Sequence, residues 1–363
     1  MMNDLKVTRA DLKAAIPQHC FDPSVTRSLL SLAKDYLLIA ALYVGLYYSP
    51  HWLVSAGLIF LIGTLLWATF GIGHDAGHGS FSKSHMLNTV VGLVTHSIIL
   101  VPYRAWQRSH FRHHKHTGHL KKEEVFRAVK PHQDNLLHKV IFRTPLFLVF
   151  GWPLYLLGFR NPKEIHPIKH SHFTTSSDLF SKQIAGSYWA SLIGVGICLS
   201  LYVGVWIAFG FGIFFKFVLA PYLCFAAWLT FVTYMQHVSP EVPVYDAEDW
   251  TGLKGALATV DRNYFPFNQL THRIGDCHVV HHVFATIPHY HVKEATDAIR
   301  PLLGEHYLYS RRSVITDFYR TLLQCHFVER VETGEWRYRS ANPAAPNYSN
   351  ASKTRQKRPV PAE

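Results

Sequence analysis

Histidines recur in three short groups whose internal spacing could support metal chemistry. The eight members of these groups are His74, His78, His110, His113, His114, His278, His281 and His282. Spacings of i, i+4 and of i, i+3, i+4 place side chains on one face of a helix. Because a neutral imidazole is a good ligand for transition metals, three such faces turned towards one another could hold two metal ions.

The number of histidines argues against a single zinc ion. Zinc needs only three or four protein ligands, and the HExxH motif of zinc proteases is missing because position 75 is Asp. Two irons that each take four or five nitrogens fit the count better, and iron can activate dioxygen. His237, at the end of an apolar segment, is a candidate for a further ligand.

Four polar residues close to these groups are candidates for supporting roles. Asp75 and Asp276 are adjacent to histidines of the groups and could accept the second N–H of a ligand imidazole. His116 and His119 follow the second group, and we expect them to contact either a ligand or the substrate.

The remainder of the sequence indicates an integral membrane protein. Apolar residues make up 48% of the 363 residues, and charged residues make up 17%, below the roughly 25% of soluble domains. We predict an all-α fold with four transmembrane helices in two hairpins, at about 36–49, 52–72, 184–207 and 214–235. Interfacial or re-entrant helices and a cytosolic helical cap with the two-iron site complete this prediction.

The charges predict which side of the membrane each part occupies. Basic residues are concentrated in 104–182 and in the C-terminal third, so the positive-inside rule places these parts in the cytosol with all three histidine groups. We expect a cytosolic segment at 1–35, a membrane domain at 36–339 and a disordered cytosolic tail at 340–363. The net charge of +12 then suits a membrane surface, without any role for nucleic acid.

Longer motifs around the histidines point to a known family. They are HDAGHGSFS at 74–82, VPY at 101–103, ATVDR at 258–262, IPHY at 287–290 and AIPQHC at 15–20. With the HxxHH spacing of the second and third groups, they resemble the membrane-bound fatty acyl desaturases. The closest likeness is to the methyl-end enzymes, which have delta-12 (omega-6) or omega-3 regioselectivity.

The resemblance implies a non-haem centre of two irons that uses dioxygen and two electrons to desaturate an acyl chain. It implies that the eight grouped histidines and His237 are the ligands. In related acyl-CoA desaturases an Asn ligand lies one turn before this ninth histidine, whereas this chain has Thr233. A separate cytochrome b5 with its reductase, at the endoplasmic reticulum, or a ferredoxin would supply the electrons. The substrate would be an acyl lipid or an acyl-CoA.

Several alternatives remain open at the level of sequence. A hydroxylase, conjugase or acetylenase of the same family would carry the same motifs. Motifs typical of delta-12 and of omega-3 enzymes occur together, so either activity, or both, is compatible with the sequence. A histidine-rich metal transporter is a different class, but it requires ionisable residues inside the spans, and the predicted spans contain essentially none.

Overall fold

The structure, a computed structural model, describes residues 5–126, 128–131, 139–140, 143–159, 167–331 and 334–341. These residues are mainly helical, with two small two-stranded sheets. Almost all of the tail predicted at 340–363 lies outside the described residues.

Helices form most of the described chain. Their bounds are α1 Arg9–Ala15, α2 Val25–Tyr48, α3 Trp52–His78, α4 His85–Ile98, α5 Tyr103–His116, α6 Phe147–Leu157, α7 Pro167–His170, α8 Ala185–Phe214, α9 Ala220–His237, α10 Gly252–Ala256, α11 His278–Val283, α12 Val292–Leu303 and α13 Val314–Gln324. The strands are β1 Asp261–Arg262, β2 Tyr309–Ser310, β3 Phe327–Arg330 and β4 Trp336–Arg339. Strands β1 and β2 pair in parallel, and β3 and β4 form an antiparallel hairpin.

The mainly helical architecture agrees with the all-α prediction, which did not include the four short strands. Each has only two or four residues, too few for the alternation of apolar and polar side chains to stand out in the sequence. Val328 of β3 is buried and packs in a small core with Leu120 and Val244, so the hairpin covers the segment that follows α5.

Among the described residues, three helical stretches are long and apolar enough to cross a membrane: Val25–Tyr48, Trp52–His78 and Lys182–His237. The first begins earlier than the predicted start at residue 36. Ser24 caps its N-terminus by accepting a hydrogen bond from the backbone of Arg27, and the helix continues through Asp35. The predicted span starts after Asp35 because this residue is charged. The Asp35 carboxylate is nevertheless buried inside the protein and pairs with His272 at 2.6 Å.

The third stretch is broken at Gly210, whose φ of 79° and ψ of 168° are not helical. On one side of the break, Tyr202 of α8 donates a hydrogen bond to the carbonyl of Ile98 in α4 (2.6 Å). On the other side, α9 contacts α3. Trp228 of α9 donates a hydrogen bond to Thr64 of α3 (2.9 Å). Helix α9 thereby packs along α3 and brings His237 to the end of α3 that carries His78.

Helices α4 and α5 form a bent pair with 104° between them. They pack closely because Gly92 leaves room for the ring of Tyr103; a Cβ at Gly92 would lie 2.0 Å from it. The pair starts shortly after His78 and ends beyond His114, which is close to His78 in space. The chain therefore leaves the histidine region along α4 and returns to it along α5.

The N-terminal and C-terminal parts share one buried core beside the histidines. Leu12 and Cys20 from the N-terminal segment pack with Val279 of α11 and with Ala295 and Ile299 of α12. This core fixes α11, and with it the third histidine group, against the ends of the long helices.

Candidate metal centre

Five histidines from three helices form the first metal-binding group. They are His74 and His78 of α3, His110 and His114 of α5, and His281 of α11. One nitrogen of each lies within 4.8 Å of the corresponding nitrogen of every other. The Nε2 atom of His114 is 3.1 Å from Nε2 of His110 and 3.1 Å from Nε2 of His281.

Four further histidines form the second group, again from three helices. They are His113 of α5, His237 of α9, and His278 and His282 of α11. The Nε2 atom of His237 is 3.2 Å from that of His113 and 3.0 Å from that of His278. His278 and His282 also face each other through Nε2 atoms 3.0 Å apart. The two groups together contain all nine histidines that the sequence suggested as ligands.

These nitrogens are arranged as metal ligands would be. Two nitrogens at about 2.1 Å from a common ion, at right angles, are about 3.0 Å apart, which matches the observed separations. Hydrogen bonds among the rings do not explain the arrangement, because a neutral imidazole has only one N–H and one lone pair. In addition, the Nε2 atom of His78 is buried without a hydrogen-bond partner. The residues present therefore fit two metal ions.

Burial keeps the histidines of α11 in the form that binds metal. Loss of hydration, followed by repulsion from neighbouring imidazoles, lowers the pKa of His278, His281 and His282 well below the ordinary value of 6.5. These three rings are neutral at physiological pH, as ligation requires.

Two residues orient histidines of the second group through the ring nitrogen that faces away from the group. The Nδ1 atom of His113 lies 2.6 Å from the Glu123 carboxylate. Thr117 donates its hydroxyl proton to the carbonyl of His113 (2.6 Å), which leaves the oxygen free to accept from Nδ1 of His282 at 3.3 Å. Both contacts keep a proton on Nδ1 and leave the Nε2 lone pair free. Sequence reasoning missed this role of Thr117, although a hydroxyl one turn after His113 is the signal for it.

The suggested carboxylates have different surroundings. Asp75 accepts hydrogen bonds from the backbone N–H of His289 (3.0 Å) and from its ring Nδ1 (2.9 Å), and one of its oxygens is 3.9 Å from Nδ1 of His74. It joins the first histidine group to the loop after α11. Asp276 instead accepts a hydrogen bond from Arg273 (2.6 Å).

His116 and His119 lie to one side of the two groups. Their ring centres are 6.0 and 5.7 Å from that of Trp250, whose indole N–H bonds to the carbonyl of Thr117. They pack around the end of α5 and belong to neither of the two histidine groups.

A cavity of about 200 Å³ runs beside both groups. His74 and His110 border it from the first group, and His113, His237 and His278 border it from the second. Most of its other lining residues are apolar or aromatic, among them Trp67, Phe70, Trp106, Phe126, Phe147, Trp152 and Leu229. A space with this lining is suited to an apolar ligand such as an alkyl chain.

The cavity reaches well below the histidines. Trp67 lies seven residues before His74 on α3, which corresponds to about 10 Å along the helix axis. Thr233 also lines the cavity, and its hydroxyl donates to the carbonyl of Leu229 in its own helix (2.6 Å).

Comparisons with known proteins agree with this geometry. Residues 50–313 match the model of the fatty acid desaturase family. The chain is 40% identical to an sn-1 acyl-lipid omega-3 desaturase (ferredoxin) of Nostoc, over 89% of each chain. It is 37% identical to an endoplasmic reticulum omega-3 fatty acid desaturase of Nicotiana tabacum, over 90% of this chain and 87% of the relative. Identity to a delta(12)-oleate desaturase of Trichosanthes kirilowii is 35%, over 90% and 92%.

These matches cover most of the chain, including all nine histidines, and agree with the resemblance found in its motifs. The chain therefore belongs to the fatty acid desaturase family, among the methyl-end desaturases, and is an oxidoreductase.

Proposed function

We propose that the protein introduces a cis double bond near the methyl end of an acyl chain that is already unsaturated. The observation that carries this proposal is the apolar cavity, which borders histidines of both groups at once. An alkyl chain in that cavity would run past histidines of both groups, and a methylene pair would then face both metal positions.

Two irons are the proposed cofactors, one in each histidine group, and when bound they would supply dioxygen activation. The overall reaction consumes dioxygen, two electrons and two protons. It removes two hydrogens from adjacent methylenes and yields one double bond and two waters. The side chains of the cavity hold the substrate in place and keep bulk water away. Glu123 and Thr117 keep the ligand nitrogens turned inwards.

For regioselectivity we propose omega-3 desaturation first, with delta-12 as the second candidate. The relatives at 37 to 40% identity described above are named omega-3 desaturases, and the delta-12 relative follows at 35%. The motifs of both types in the sequence support a test for both activities.

The proposed setting is a membrane with the metal centre at its cytosolic face. Four crossings follow if the break at Gly210 divides the third stretch into two spans. An acyl lipid is the proposed substrate, since the Nostoc relative is named for that class. Ferredoxin or a separate cytochrome b5 is the proposed electron donor, and the excess of basic residues suits an acidic partner. If the donor is cytochrome b5, we propose the endoplasmic reticulum as the location.

Expression in yeast, followed by gas chromatography of the fatty acids, tests this function. With linoleate added, omega-3 activity produces alpha-linolenate; without it, delta-12 activity produces linoleate from oleate. His113→Ala is the control, because the protein should still enter the membrane but form no new double bond. Hydroxylated, conjugated or acetylenic products would replace the proposal by one of the other chemistries of the family. Cells that also express a ferredoxin and its reductase test the other donor, and absence of new products with both donors overturns the proposal.

A further inference from the structure

We propose that a second, separate metal site, for a divalent cation of the zinc class, lies where the N-terminal segment meets α12. Its ligands are His19, Cys20, His291 and Glu294, here called the His19 cluster. One ligand atom from each of the four lies within 4.8 Å of the others. None of these residues belongs to the two histidine groups of the desaturase centre.

The distances within the His19 cluster are close to those of a tetrahedral site. Nε2 of His19 is 2.9 Å from a carboxylate oxygen of Glu294 and 3.8 Å from the sulfur of Cys20. Nδ1 of His291 is 3.7 Å from that same oxygen. Zinc–sulfur bonds of about 2.3 Å and zinc–nitrogen bonds of about 2.0–2.1 Å give edges of about 3.3–3.6 Å. Each of these three edges is within about 0.5 Å of this range, and the other three are no longer than 4.8 Å, so side-chain movements suffice to close the site.

The donor set favours zinc over the hard cations. One thiolate, two imidazoles and one carboxylate are typical ligands of zinc, whereas calcium and magnesium take oxygen ligands. The cluster is also reachable from solvent, because the side chains of His19 and Glu294 are 57% and 47% exposed. Cys20 is fully buried behind them, which shields the sulfur from oxidants in solution.

Binding of the cation requires two changes at the His19 cluster. Burial and the nearby Glu294 raise the pKa of Cys20 to about 11, so the cation must displace the thiol proton. Arg27 lies 3.2 Å from Nε2 of His291, and this nitrogen must carry the proton once Nδ1 holds the cation. The guanidinium can withdraw without losing all its contacts, because it also stacks on the ring of Tyr290 at 4.2 Å.

The position of the His19 cluster gives it a structural consequence. His291 follows Tyr290, whose hydroxyl accepts a hydrogen bond from the backbone N–H of Ser24 (2.6 Å). One residue earlier, His289 is bonded to Asp75, beside the first histidine group. A cation here would join the N-terminal segment to the loop that supports Asp75, and so would fasten that segment against the desaturase centre.

Elemental analysis of the purified, full-length holoenzyme tests the site. We expect about one zinc per chain in addition to iron. His19→Gln and Cys20→Ser should each remove the zinc while the iron content stays unchanged. Loss of either direct ligand should weaken zinc binding by more than the roughly 10–100-fold that follows loss of an outer hydrogen-bond partner. His85→Gln, at an exposed histidine of α4, and Cys198→Ser, at another free cysteine, are the matched controls.

Cobalt provides a spectroscopic test that is independent of enzyme activity. The desaturase centre contains only imidazole ligands, so a thiolate-to-cobalt absorption band can arise only from a cysteine ligand. We expect this band when Co²⁺ is added to the zinc-depleted protein. It should disappear in Cys20→Ser and persist in Cys198→Ser. Arg27→Gln should strengthen cobalt binding, because the competing donor to His291 is gone.

The opposite results overturn the site without touching the desaturase proposal. One such result is a wild-type protein that contains less than about a tenth of a zinc per chain and shows no thiolate-to-cobalt band. The other is a zinc content that stays unchanged in both His19→Gln and Cys20→Ser. Because metal content and absorption are measured apart from desaturation, an inactive enzyme that still binds zinc leaves this proposal intact.

Discussion

A histidine binds a metal through the lone pair of one ring nitrogen. A hydrogen-bond acceptor at the other nitrogen keeps the proton there and so leaves that lone pair free. His282 depends for this on the hydroxyl of Thr117, which is itself fixed by its bond to the carbonyl of His113. One small side chain thus links two ligands of the second histidine group.

Replacement of Thr117 tests this link. Thr117→Val keeps the shape but removes the hydroxyl, so His282 can lose its fixed orientation. We expect iron binding at the second group to weaken by roughly 10–100-fold, with a corresponding fall in desaturation. Iron per chain, measured after dialysis, should fall from about two towards one. Thr117→Ser, which retains the hydroxyl, should restore both quantities; equal loss in Val and Ser variants would contradict the assigned role.

Thr233 occupies the position where related acyl-CoA desaturases have an Asn ligand, and its hydroxyl is already bonded within its own helix. We therefore expect Thr233→Val to retain iron content and activity within about twofold, because the lost bond is only a local one to the Leu229 carbonyl. Iron analysis and product yield measure this outcome. Selective loss of one iron in Thr233→Val would instead make the hydroxyl, directly or through water, part of the metal site.

Among the elements, the two-residue strand β1 has an effect out of proportion to its length. Asp261 accepts a hydrogen bond from the backbone N–H of Val279 at the start of α11 (2.8 Å). Arg262 is buried, donates to the carbonyl of Met235 near the end of α9, and is paired with Asp317 of α13 at 3.0 Å. The strand therefore fixes the two helices that carry His237, His278 and His282.

Removal of the Arg262 guanidinium should loosen this arrangement. In Arg262→Gln the buried carboxylate of Asp317 loses its nearest partner and keeps only Arg312 and Arg320, each at 3.8 Å, so the cost is at most about 3–5 kcal/mol. We expect a melting temperature lower by about 10 °C and a loss of iron from the second histidine group before the first. Thermal unfolding in detergent and iron analysis measure these effects. Arg330→Gln, at a 55% exposed arginine, is the control, and equal behaviour of the two variants would remove Arg262 from its positioning role.

Helical periodicity explains how much of the site could be predicted. The spacing identified the ligand faces of α3, α5 and α11, but it could not divide nine histidines into groups of five and four. His113 and His114 enter different groups, as do His281 and His282, because neighbouring residues point about 100° apart around a helix. The group that each histidine joins depends on which helix its side chain faces, and therefore on how α9 packs along α3. That packing cannot be predicted from local sequence patterns.

At the scale of the whole molecule, contacts between distant parts of the sequence explain why the start of α2 was predicted too late. Asp35 marked the end of a polar segment in the sequence, yet it is buried within α2 and paired with His272. A contact between residues so distant in sequence cannot be read from local composition. The His19 cluster likewise joins residues distant in sequence, because His19 and Cys20 come from the N-terminal segment, whereas Glu294 lies in α12 and His291 directly precedes that helix.

The two histidine groups join α3, α5, α9 and α11, so the two proposed irons should stabilise the fold as a whole. Ions that bind only the folded state raise its stability by mass action, and here each ion would bridge helices that come from distant parts of the sequence. We expect an iron chelator to lower the melting temperature of the purified protein. His113→Ala, which lacks one ligand of the second group, should start from a lower temperature and lose less on chelation. The same chelator preloaded with iron is the control. A melting temperature that chelation leaves unchanged in the iron-loaded wild-type protein would mean that helix packing alone holds the nine histidines in place.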